Sequence, residues 1–385
     1  MRLKEAAKMK DYIVVNPGCE TWEENRAWQG CPTIARTKGG RLFAGWYTGG
    51  MFEPCIDNFN VLVKSDDGGI TWSHPILAVY SDREERIRNI DIQLWTDERG
   101  QLWIMWTHSP YPEDAKPATI RTPFRMNYHS DFTGVEMLLC RNPDADELVF
   151  EESRTITKGF LRCKPIILQD GRYLFPAYDW DVPDRYMLRF SSDHGKTFVD
   201  KPAAKKPDNR VFDETMVFET EEGYLRLMAR TVRGYYATSL STDGGETWSE
   251  TEEFEKAPST RFFIARLQSG RLVYVRNISD TERTGMKVML SEDDGKTWAG
   301  SLTLDTRPGV SYPDLAEDGK GRLFIVHDCE RDNRAHLNRE TWHSEAAKEI
   351  LLSSVTEEDI LRGKIGEDSF IARVISKALI DYVEK

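Results

Sequence analysis

Seven histidines and six cysteines are the side chains of this 385-residue chain best suited by type to metal or nucleophilic chemistry. No pair of histidines stands in an HxH or HExxH spacing, which would put two imidazoles on one face of a strand or helix, so no metal and no other cofactor is expected. The cysteines, at 19, 31, 55, 140, 163 and 329, form neither CxxC pairs nor a short framework and read as reduced, mostly buried thiols. His327, beside Asp328 at the end of an apolar run, is the histidine expected at a mouth of the fold. The most regularly recurring carboxylates, Asp67, Asp193, Asp243 and Asp293, sit in turn sequences and read as scaffold rather than chemistry.

Those aspartates belong to four copies of S-x-D-x-G-x-T-[WF]: Ser65 to Trp72, Ser191 to Phe198, Ser241 to Trp248 and Ser291 to Trp298. The Gly takes the positive φ of a tight turn, Asp and Ser/Thr bond to turn amides, and the aromatic packs back onto a sheet. A second repeat is a Gly followed by a strand-like apolar run, at Gly40, Gly100, Gly171, Gly223, Gly270 and Gly321. Self-similarity at a period of ~40–50 residues is the mark of a propeller, whose units cannot bury an apolar face alone. Six repeats predict an all-β fold, a six-bladed β-propeller. The Pro-rich and polar stretch from His108 to His129 reads as an inserted loop.

A closed propeller overrides the two or three domains that length alone would allow, so residues 1–366 are expected as one propeller domain. Eleven Trp and fourteen Tyr suit blade packing, and a net charge of −12 argues against a nucleic-acid partner. No apolar run approaches the ~20 residues that span a bilayer, so no membrane partner is expected. The first ten residues, MRLKEAAKMK, lack a following apolar segment, which predicts a cytoplasmic location, or a secreted or periplasmic one if a leader has been removed. Near the other end, residues 349–355 read as a strand and Thr356 to Asp359 as a capping box opening a short helix that stops near Gly363. Apolar residues at 370, 371, 374, 375, 378, 379 and 382 have helical spacing, which predicts a terminal helix over 367–385, packed outside the propeller. Ring closure is expected from Tyr12 to Val15, or Cys31 to Ala35, pairing with the C-terminal chain.

The turn octapeptides and the blade count resemble the sialidase (neuraminidase) superfamily, most closely bacterial BNR-repeat, sialidase-like glycosyl hydrolases, from about Trp28 to Val355. The resemblance implies catalytic roles for Glu214, in Asp213-Glu214-Thr215-Met216-Val217, and Tyr312, in Gly309-Val310-Ser311-Tyr312-Pro313-Asp314-Leu315. It implies substrate-carboxylate binding by Arg230, in Leu227-Met228-Ala229-Arg230, and by Arg283, eight residues before Ser291. Asp57 is carried over as the acid/base, with Glu53 the nearby substitute. A sugar with a carboxylate on its anomeric carbon repels a carboxylate nucleophile, which is why this family resembles the tyrosine-nucleophile exception among retaining glycosidases. Glu214 would take the Tyr312 proton, the arginines would clamp the carboxylate, and Asp57 would protonate the leaving oxygen.

One departure stands out. Sialidases carry an Arg-Ile-Pro segment in the first blade, whereas this chain has Gln29-Gly30-Cys31-Pro32-Thr33, so one arginine of a three-arginine cluster is missing. Arg88, with Asp91 in the segment Arg86 to Asp91, is the expected substrate-binding compensation, with Arg26 a second candidate. The orienting carboxylate is expected near Glu330. The expected function is exo-acting hydrolysis of a glycoside of an acidic sugar, the partner being a carbohydrate with a carboxylate. The alternatives are a propeller lyase on uronic-acid glycans, using Tyr312 or His327, and a non-catalytic carbohydrate-binding propeller.

Overall fold

A computed structural model describes residues 9–50, 53, 57–110, 134–179, 182–207, 214–329 and 348–380. Its strands form six antiparallel sheets, five of four strands and one of five, each built from a contiguous length of chain. These are the six blades. Their first strands, Gln29–Arg36, Ile87–Thr96, Ile166–Ile167, Met216–Glu219, Phe263–Arg266 and Val310–Glu317, surround the central axis. The second strand of each blade starts one or two residues after a repeat glycine, and all six glycines have φ between +79° and +100°, where a Cβ is strained.

The four octapeptides connect third to fourth strands, and each aspartate caps its own turn. Asp243 Oδ1 accepts from Ser241 Oγ at 2.8 Å and Thr247 N at 2.9 Å, and Oδ2 from Thr247 Oγ1 at 2.5 Å. Strand register fixes where these turns lie. In blade 1 Gln29, Thr48 and Phe59 share one end of the sheet, while Arg36, Leu42 and Ser65 share the other. The octapeptides therefore occupy the face opposite the starts of the inner strands.

Ring closure differs from expectation. Ile13–Val15 pairs with Leu77–Val79 as an outer fifth strand of blade 1, and Gln29–Arg36 pairs with Leu42–Thr48, so neither joins the C-terminal chain by a ladder. Side chains and single backbone bonds close the ring instead. Asp314 Oδ2 accepts from Thr33 Oγ1 at 2.6 Å and Ile34 N at 3.0 Å. Gln29 Nε2 donates to Lys348 O at 2.8 Å, and Leu379 N to Glu23 O at 3.0 Å. Arg26, a candidate for the pocket, is buried in this closure with Nη2 donating to Ser376 Oγ at 2.9 Å.

The capping box at Thr356 and the helix Glu357–Arg362 form, ending at Gly363 with φ +68°. The terminal helix does not. Phe370–Lys377 is the fourth strand of blade 6, paired with Glu349–Thr356, and 381–385 lie outside the described residues. A helix there would leave the edge of Glu349–Thr356 without partners, and the β-branched Ile371, Val374 and Ile375 fit a pleated surface. Of the inserted loop, His108 to Pro110 end the strand Leu102–Pro110, and 111–129 lie outside the described residues. The five described cysteines are free thiols, four of them buried. No helix among the described residues is long and apolar enough to cross a membrane.

Candidate active site

Counting back nine residues from each repeat glycine gives Cys31, Asp91, Arg162, Glu214, Arg261 and Tyr312, one from each blade. All six are buried. Cys31, Asp91, Glu214 and Tyr312 have positive φ, at +55°, +59°, +36° and +51°. Cys31, Asp91 and Tyr312 each lie in a ladder irregularity, between Gly30 and Thr33, Ile90 and Gln93, and Ser311 and Asp314. A bulge lifts a residue out of cross-strand pairing and re-aims its side chain, here into one cluster at the axis. Two residues further along the inner strands, Thr33, Lys164 and Asp314 form the floor. Asp314 Oδ2 lies 3.0 Å from Lys164 Nζ, and its Oδ1 lies 3.4 Å from Arg261 Nη2.

Arg230 organises the cluster. Its Nη1 donates to Glu214 Oε2 at 2.8 Å and to Tyr312 Oη at 3.5 Å, and its Nε donates to Ser259 Oγ at 3.1 Å. Arg283 Nη2 donates to the carbonyl of the same Ser259 at 3.1 Å, and its guanidinium lies 5.6 Å from the Tyr312 ring centroid. Arg283 Nη1 is buried without a hydrogen-bond partner among the described residues. Arg162 pairs with Asp91 Oδ2 at 2.8 Å and lies 3.6 Å from Glu214 Oε1. Cys31 Sγ lies 3.7 Å from Glu53 Oε2 and 3.8 Å from Tyr47 Oη.

The electrostatics separate the carboxyls. Burial acts to raise Glu214, but Arg230 and Arg162 outweigh it and hold the carboxyl below its ordinary value. Burial pushes Glu53 up to about 8, reinforced by Asp91 and Asp328 and opposed by Arg162 and Arg283. Burial also raises Asp91 against the pull of Arg162, and raises Asp328 to about 7 against the hydrogen bond from Cys31 N. The Tyr312 hydroxyl is raised well above its ordinary value by burial, Glu214 and Cys31. At neutral pH the site therefore holds an ionised Glu214, a protonated Tyr312 and a largely protonated Glu53.

Glu214, Arg230, Arg283, Tyr312 and Asp91 thus come together from the second, fourth, fifth and sixth blades. Arg88 is buried behind them, its charge acting on Asp91. Asp57 stands elsewhere. It is 42 % exposed and paired with Arg83, outside the cluster, and Glu53 is the carboxyl beside Cys31 instead. His327 points away from the mouth, fully buried with Nε2 3.3 Å from Asp305 Oδ2, because strand alternation turns its neighbour Asp328 toward the site. Glu330 lies outside the described residues; the carboxylate found beside Gly30 is Asp328, whose Oδ2 accepts from Cys31 N at 2.8 Å. Sequence reasoning missed Arg162, Arg261 and Ser259. The nine-residue offset from the repeat glycine was the signal for the first two; Ser259 has none. Among the described residues no group of three or more His, Cys, Asp or Glu side chains is arranged to hold a metal ion.

Residues 100–325 match the family described as BNR repeat-like domain. The chain belongs to that family. Among solved structures, this BNR-repeat protein is similar to a variant of the NanB sialidase from Streptococcus pneumoniae (16% identity, 84% of this chain and 68% of that one, TM-score 0.63). It is similar to a Hadza microbial sialidase (20% identity, 78% and 63%, TM-score 0.60). It is also similar to the intramolecular trans-sialidase from Ruminococcus gnavus (15% identity, 90% and 98%, TM-score 0.67). These likenesses establish the six-bladed propeller fold, and the BNR-repeat chain spans about two thirds of the first two. No curated protein matches it.

Proposed function

We propose that this BNR-repeat protein is an exo-acting glycoside hydrolase for an acidic sugar, retaining configuration through Tyr312. The observation that carries the reading is one guanidinium nitrogen, Arg230 Nη1, reaching both the Glu214 carboxylate and the Tyr312 hydroxyl. Tyr312 Oη attacks the anomeric carbon while its proton passes to Glu214, and Arg230 offsets the charge developing on the phenolic oxygen. Glu53 gives its proton to the departing glycosidic oxygen. Glu53, now ionised, then takes a proton from water as that water attacks the anomeric carbon, and the Tyr312 oxygen leaves and recovers its proton from Glu214. Arg283, with its unserved Nη1, and Arg230 bind the substrate carboxylate. Similarity to sialidases and a trans-sialidase supports a glycosidic reaction.

The test is a panel of aryl glycosides of sialic and uronic acids, followed for aglycone release and for the ultraviolet absorbance of an unsaturated uronate. Aglycone release abolished by Tyr312→Phe, with ligand binding kept, is the expected result. Unsaturated product would make the protein a lyase, and binding without turnover would make it a binding module.

A further inference from the structure

The wall between the first and last blades carries two polar atoms with nothing to bond. Trp28 and Asp328 are both 0 % exposed, and Trp28 Nε1 and Asp328 Oδ1 have no hydrogen-bond partner among the described residues. Both side chains meet at Gly30. A Cβ there would stand 2.9 Å from Trp28 Cζ2 and 3.2 Å from Asp328 Oδ2, so the indole and the carboxyl occupy the position where a larger residue would project. Trp28 packs with Cys31, Tyr47, Ile90 and Tyr312, and Asp328 feels the charge of Arg283. The wall therefore adjoins both the nucleophile and the carboxylate clamp.

One atom is a donor and the other an acceptor. With Asp328 ionised, its form above about pH 7, a ligand carboxylate would satisfy the indole N–H and be repelled by Asp328; an ammonium would do the reverse. A hydroxyl donates to the carboxylate and accepts from the indole at once, leaving neither buried group unpaired. We propose that Trp28 and Asp328 form a hydroxyl-reading subsite, so that the pocket selects sugar acids with a hydroxyl on the carbon next to the carboxylated one. Hexuronic acids, with O4 beside the C5 carboxylate, have that arrangement. A 3-deoxy-2-ulosonic acid, with a methylene there, does not. This inference rests on the carboxylate clamp of the proposed function and specifies its substrate class.

The test is calorimetric binding of D-glucuronate, D-galacturonate, their common 4-deoxy analogue and N-acetylneuraminate to the full chain. Wild type is expected to bind one of the two hexuronates about tenfold more tightly than the 4-deoxy compound. Trp28→Phe, which keeps an aromatic ring, and Asp328→Asn, which replaces the acceptor by a donor, should each cut that preference to threefold or less, and the two variants guard against misfolding of either. Equal binding of the 4-deoxy compound, or a preference untouched by both substitutions, overturns the subsite and leaves the clamp standing. Binding of the acids unaffected by Arg283→Lys, or absent in wild type, overturns the clamp itself and the subsite with it.

Discussion

Thr33 and Asp314, 281 positions apart, are joined by a 2.6 Å hydrogen bond from hydroxyl to carboxylate across the join of first and last blades. The same carboxylate faces Lys164 and Arg261, so one buried anion ties four blades together beneath the site. Asp314→Ala leaves the buried Arg261 and the half-buried Lys164 without their shared anion and is expected to cost about 3–5 kcal/mol. Urea unfolding measures it, and a cost near zero would show that the floor does not hold the ring.

Glu53, half-buried and with desolvation pushing its carboxyl up to about 8, sets the alkaline side of the pH profile. As acid it must be protonated, so turnover should fall as pH rises through about 8, while the depressed Glu214 keeps the base ionised below the ordinary carboxylate range. Glu53→Gln should remove the alkaline limb and lower kcat about 10²–10⁴-fold. Stability moves with the same group. A carboxyl raised in the folded state is stabilising below its unfolded value and loses that contribution as pH climbs to about 8, so the variant should melt higher than wild type at pH 8.

Arg230 serves Glu214, Tyr312 and Ser259 with a planar fork that an ammonium cannot reproduce. Arg230→Lys should lower kcat/KM about ten- to a hundredfold, the equivalent of one charge-assisted hydrogen bond. An unchanged kcat/KM on any cleaved glycoside would remove Arg230 from the reaction.

Among the described residues Asp243 bonds within its own turn, on the face away from the site. Its pKa is lowered to about 2, mainly by Thr247 and Ser241, so its contribution is present above the unfolded value and lost as pH falls toward 2. Asp243→Ala should lower Tm by a few degrees at pH 7, and by less at pH 3, with no change in ligand affinity. Thermal scans with and without ligand check both halves.

Turn chemistry was legible because it is written in adjacent residues: each octapeptide holds its donors, acceptor and glycine within eight positions, and each repeat glycine announces a strand. Glu214 and Tyr312 were legible through the resemblance of their flanking segments to the sialidase superfamily, each in phase with its repeat glycine. Arg162 was harder to read, since its meaning lies in Asp91 and Glu214, supplied by the blades on either side. Asp57 and Glu53 share a loop, and only burial separates an exposed, paired carboxylate from one kept protonated. Phe370 to Lys377 read as helix because its apolar residues satisfy that period; the vacant edge of Glu349–Thr356, a tertiary demand, decides otherwise.

A ring whose ends meet through side chains rather than a shared strand is modular in connectivity. Glu23 and Leu379 are already hydrogen-bonded neighbours, and each sheet is complete within one stretch of chain. Joining that pair by a short linker and opening the chain between the third and fourth blades would keep the four-stranded ladder of every blade and give up only the outer Ile13–Val15 strand, which precedes the join. Such circular permutants let the order in which the blades leave the ribosome be varied while the pocket at their centre keeps the same six side chains.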